Sequence, residues 1–109
     1  MSKDEQGYNG WANYETWVAS LHIDNEQGTY EEVRRIVADA IAEGAEDGDN
    51  YPAVAIADLV REWADETYID AVREDRPSGL ALDLLGHAFA RIDWYEIARG
   101  YIAELAEAL

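Results

Sequence analysis

The chain has 109 residues, 49% of them hydrophobic, and its 24 acidic side chains stand against 8 basic ones for a net charge of −16. That length holds one domain with one core, and the apolar fraction is too high for a disordered chain. No cysteine is present, which excludes disulfides, thiolate nucleophiles and sulfur metal sites, and no apolar run approaches the ~20 residues that span a bilayer.

Residues 1–12 lack periodicity and read as a flexible N-terminal arm ending in Asn9-Gly10-Trp11, ahead of one helical domain over 13–109. The opening Met1-Ser2-Lys3-Asp4-Glu5-Gln6-Gly7 is polar and acidic, unlike a secretory signal or transit peptide, which points to a cytoplasmic protein. Asn13 stands at a cap position before Tyr14, Trp17, Val18 and Leu21, and this spacing predicts a helix over about 14–24. The helix is expected to stop near Asn25-Glu26-Gln27-Gly28, where Gly28 can take positive φ. Thr29 and Glu32 have the T-x-x-E spacing of a capping box at the start of a second helix. Tyr30, Val33, Ile36, Val37, Ala40 and Ile41 form its apolar stripe, and Gly44 is expected to end it. The acidic, glycine-containing run from Ala45 to Asn50 reads as a loop.

Pro52 suits the first turn of a third helix, where its missing N–H has no intrahelical partner. Ala53, Ile56, Ala57, Val60, Trp63 and Ala64 line one face of that helix. It either runs on through Tyr68, Ile69 and Val72 or breaks near Asp65-Glu66-Thr67, and Arg76-Pro77 ends it. Ser78 caps a fourth helix with Leu82, Leu85, Ala88, Phe89 and Ile92 apolar. Asp93 and Glu96 repeat the capping-box spacing before a fifth, whose apolar positions are Trp94, Ile97, Ala98, Tyr101, Ile102, Leu105 and Leu109. No segment alternates like a half-buried strand. The expected fold is therefore all-α, a compact bundle of about five short helices. Leu80, Leu84 and Tyr95 either fill the core or lie at the symmetric interface of a homodimer.

The most distinctive stretch is Gly10-Trp11-Ala12-Asn13-Tyr14-Glu15-Thr16-Trp17. Structurally, Tyr14 and Trp17 would anchor the first helix in the core while Trp11 folds over its start. Functionally, Trp11, Tyr14 and Trp17 would be a hot spot for a protein partner. The pattern N-G-W-x-N-Y-E-T-W resembles the opening of an uncharacterised family of small proteins carried by bacteriophages, plasmids and archaeal mobile elements. Asp83-Leu84-Leu85-Gly86-His87-Ala88 and Asp93-Trp94-Tyr95-Glu96-Ile97-Ala98 resemble its later blocks, in the same order. The resemblance implies a mobile-element origin and supplies no catalytic residue.

Nothing in the chain assembles a reactive constellation. His22-Ile23-Asp24 has the spacing of a metal-binding pair, but the only other histidine is His87, so no metal site or cofactor is expected. The three serines, at 2, 20 and 78, stand in no nucleophile motif, and no carboxylate pair marks itself as an acid and base. A non-enzymatic protein is expected.

The acidic residues remain. Codon usage in a GC-rich genome or adaptation to high salt produces such a surface without function; a binding face is the alternative. Asp58, Glu62, Asp65, Glu66 and Asp70 share one face if the third helix is continuous, and Glu46, Asp47 and Asp49 in the preceding loop would extend it. Four-residue steps place carboxylates about 6 Å apart along a helix, comparable to successive phosphates on a nucleic-acid strand. Such a field repels nucleic acid and anionic membranes directly and attracts basic proteins. The expected partner is thus a host protein with a basic, nucleic-acid-binding surface, met in the host cytoplasm and blocked by imitation of DNA. If instead the aromatic opening makes the contact, the acidity serves only solubility or salt tolerance.

Overall fold

The first helix starts where a side chain satisfies its free amides. The computed structural model describes residues 9–46 and 53–108. In it Asn13 has an extended backbone and its Oδ1 accepts the Thr16 N–H at 2.8 Å, so α1 runs Tyr14–Asn25. Only Glu26 separates α1 from α2, Gln27–Glu46. The capping box expected from Thr29 and Glu32 does not form. The Thr29 hydroxyl instead donates backwards to the Ile23 and Glu26 carbonyls, at 2.9 and 3.1 Å, serving the unpaired end of α1. The Glu32 carboxylate accepts the indole N–H of Trp63. Gly28 therefore lies inside α2 without positive φ, and Gly44 is buried within a helix that continues to Glu46.

The third helix resolves its two expected courses in a way that neither anticipates. Ala53–Ala64 is α-helical, Asp65–Ile69 is a π-helical turn, and Asp70–Glu74 is α-helical again, making one rod called α3 here. The turn is closed by the Asp70 N–H on the Asp65 carbonyl, five residues back. Its cause is visible in the apolar spacing. Ile56, Ala57, Val60 and Ala64 are buried, and the next buried residue is Ile69, which an ordinary α-turn would place off the face. Arg76 takes a left-handed φ of 52° ahead of Pro77, reversing the chain where the helical region is disfavoured. The α4 helix, Gly79–Arg91, is capped by Ser78, whose Oγ accepts the Ala81 N–H at 3.1 Å. The α5 helix, Trp94–Ala108, follows after two residues. Pro52 and the loop from Asp47 to Asn50 lie outside the described residues.

The described residues thus form five helices with no strand ladder, an all-α bundle. The α3 and α5 helices form the main packing pair, α2 lies against both, and α1 against α2, α4 and α5. The core comprises Ile23, Val33, Val37, Ala40, Ile56, Ala57, Val60, Ala64, Trp94, Ile97, Ala98 and Tyr101. Burial of this set drives assembly, each fully buried aliphatic side chain contributing about 2 kcal/mol against chain entropy. The α4 helix contributes no buried residue and sits at the edge. Leu80, Leu84 and Tyr95 do not fill the core, being 71%, 61% and 41% exposed. Nor does Tyr14, which is 54% exposed beside a half-buried Trp17. Trp11 packs against the core from the segment before α1. Among the described residues no helix is long and apolar enough to cross a membrane.

Candidate functional site

The aromatic opening and the block around Asp93 meet in one hydrogen-bonded junction. Asn13 Oδ1 accepts both the N–H and, at 2.6 Å, the hydroxyl of Thr16, while its Nδ2 donates to the Arg91 carbonyl at 2.7 Å. The Thr16 oxygen accepts the Asp93 N–H at 2.8 Å. Asp93 Oδ1 in turn accepts the Glu96 N–H at 3.1 Å, and Glu96 Oε1 accepts the Ala12 N–H at 2.9 Å. Half of the expected Asp93–Glu96 capping box therefore forms, and the Glu96 carboxylate reaches across to the opening instead of back to Asp93. Thr16 is wholly buried at the centre. The start of α1 and the start of α5, far apart in sequence, cap one another. Arg91 adds an ion pair to Glu15 at 3.4 Å. The Glu15 carboxyl is held below its ordinary value first by a backbone hydrogen bond at the helix start and then, against partial desolvation, by Arg91. The polar residues of the opening are thus a structural latch; of its aromatics, Tyr14 is the one most open to a partner.

The acidic face on α3 is exposed at Asp58, Glu62, Glu66 and Asp70, with Asp65 half-buried. Asp58, Glu62 and Glu66 keep four-residue steps. The π-turn then sets Asp70 under Asp65 rather than under Glu66, so the row bends at its end. Arg73 pairs with Asp70 at 3.3 Å. Arg61 turns away from the row to lie over the Phe89 ring, 5.9 Å from its centroid. Other cations are committed elsewhere, Arg34 to Glu104 at 3.5 Å and Arg99 to the Tyr95 ring. Among the described residues Asp58, Glu62 and Glu66 have no basic partner. Asp47, Asp49 and the side chain of Glu46 fall outside what is described, so the extension of the row into the loop has no structural counterpart.

A cavity of about 420 Å³ lies between α1, the π-turn of α3 and α4. Its walls are Val18, Ala19 and Ile23 on one side and Leu85, Ala88 and Phe89 on the other. Tyr68, Ile69 and Trp94 also line it, and Glu15, His22 and Glu26 supply its polar groups. Sequence reasoning missed this site. Its signal was the pair Tyr68-Ile69, five rather than four residues after the Trp63-Ala64 pair. His22 is exposed on this lining, and His87 is exposed on α4 near enough to Glu15 to act on its charge. Among the described residues no three histidine or carboxylate side chains are grouped to hold a metal ion.

Residues 4–107 match the profile of a family of unknown function, DUF7249, and since the match covers nearly the whole chain, the protein belongs to that family. No curated protein and no solved structure matches it.

Proposed function

We propose that this member of the DUF7249 family is a small binding protein of a mobile genetic element, acting in the host cytoplasm, that covers the basic surface of a host nucleic-acid-binding protein. The observation that carries this reading is the carboxylate row Asp58, Glu62 and Glu66 on the outer face of α3, which has no basic partner among the described residues. Carboxylates at that pitch occupy the arginines and lysines that hold phosphates and so block nucleic acid competitively. Opposite charge steers the encounter, which makes association fast and sensitive to salt. The work is done by binding and needs no catalytic group.

The test begins by capturing partners from host lysate with tagged protein and purifying what binds. Duplex DNA is expected to displace that partner, and the variant carrying Asp58→Lys, Glu62→Lys and Glu66→Lys is expected to bind it at least a hundredfold more weakly. Full affinity in the triple variant, or indifference to DNA, would overturn the proposal.

The exposure of Tyr14 favours one second reading, a protein contact made by the aromatic opening. It gives the opposite pattern: Tyr14→Ala removes binding, the helical fold persists, and salt has little effect.

A further inference from the structure

Four leucines and a phenylalanine stand among the 13 residues of α4, yet none of the 13 is buried. The inner face, with Leu85, Ala88 and Phe89, lies over the cavity against α1. Leu80 and Leu84 stand on the opposite face, 71% and 61% exposed. With His87 and Arg91, both exposed, they follow steps of four, three and four, the spacing of one continuous helical seam. Asp83 flanks that seam one turn before His87. Scattered exposed leucines are ordinary, whereas contiguous ones mark interaction surfaces.

Charge selects the occupant. Within α4 the one acidic residue, Asp83, is balanced by Arg91, whereas each of the other four helices carries a net negative charge. A basic partner is drawn to those other helices. For a second copy of so acidic a chain, net charge −16, α4 is the face of least repulsion. We propose that α4 is the interface of a weak homodimer, in which the helices of two copies lie antiparallel about a two-fold axis near position 85. That arrangement is self-complementary, as a contact between identical patches requires. Asp83 falls opposite His87 of the partner subunit, whose imidazole N–H donates to the carboxylate. The two Leu84 side chains meet beside the axis. Leu80 lies along the aliphatic stem of Arg91 of the partner subunit, a side chain 52% exposed in the single chain. A helix pair about 20 Å long buries less than the ~800 Å² per partner of a standard interface, so a Kd of about 10–100 µM is expected. The contact does not use the carboxylate row on α3 and stands independently of the function proposed above.

Sedimentation equilibrium from about 5 µM to about 500 µM protein tests it, in about 150 mM NaCl, where a Debye length of about 8 Å screens distant charge more than contacting pairs. A reversible monomer–dimer equilibrium is expected. Leu84→Glu is expected to weaken it more than tenfold, with circular dichroism showing the helical content unchanged. Asp83→Arg and His87→Asp each set like charges opposite one another and are expected to weaken self-association by a similar factor. Mixed in equal amounts, these two variants are expected to recover dimerisation, because each then faces the opposite charge on the other. Should Leu84→Glu lose helix, the mixture decides alone. The proposal is overturned if the parent is monomeric throughout, which would leave α4 to a different, uncharged partner. It is also overturned if Leu84→Glu dimerises as well as the parent, or if the mixture associates no better than either variant by itself.

Discussion

At the scale of single residues, Thr16 has the largest structural role for its size. Its hydroxyl donates to Asn13 and accepts from the Asp93 backbone while wholly buried. Thr16→Val keeps the shape and strands the Asp93 amide, so a loss of about 2–3 kcal/mol is expected on urea unfolding. Thr16→Ser retains the hydroxyl and is expected to recover most of it. Tyr101 governs the alkaline side. Burial first, then its hydrogen bond to the Asp24 carboxylate, push its phenol well above the ordinary value of 10.0. A raised folded-state value means that the native state holds the proton more tightly than the unfolded chain. The associated stability is complete below about pH 10 and is lost as pH rises through the folded value. Tyr30 and Tyr68 are shifted the same way, Tyr30 chiefly by its hydrogen bond to Glu104 and Tyr68 by burial. Thermal unfolding between about pH 8 and about pH 12 is therefore expected to show a falling limb that Tyr101→Phe flattens.

At the scale of elements, what was legible followed from local chemistry. Asn13 and Ser78 cap the helices that their positions announce, and Val33, Val37 and Ala40 of the α2 stripe are buried as its spacing requires, with Ile36 partly so. Thr29 and Glu32 misled because a capping box competes with tertiary partners, and here the Ile23 carbonyl and the Trp63 indole were better placed. The π-turn was illegible for a related reason: an α-helical reading assigns Tyr68 and Ile69 by periodicity, whereas core packing selects the five-residue step from Ala64 to Ile69. The cavity left only the trace of that five-residue step, since its other walls are brought together by the tertiary packing of α1 against α4. This division has an energetic counterpart. Ile56→Ala, in the wholly buried face of α3, is expected to lower stability by about 3 kcal/mol. Leu80→Glu on the exposed face of α4 is expected to change it by less than about 0.5 kcal/mol, as chemical denaturation of the two variants will measure.

At the scale of the whole molecule the dominant quantity is the charge of −16. Self-repulsion at that charge opposes the compact state, and added salt screens it. The melting temperature is expected to rise between about 10 mM and about 500 mM NaCl, the reverse of what screening does to a fold held by ion pairs. That behaviour follows from the total charge, whereas function, as proposed, follows from its placement on α3. The measurement that separates the two uses variants of equal net charge. Reversal to lysine at Asp58, Glu62 and Glu66 changes each site by two units and brings the chain from −16 to about −10. Reversal at Asp39, Glu43 and Glu107, exposed on α2 and α5, does the same elsewhere. In titrations of the captured basic partner, the α3 variant is expected to lose binding and its salt dependence while the control keeps most of both. Equal losses in the two variants, or none in the first, would contradict a binding face on α3.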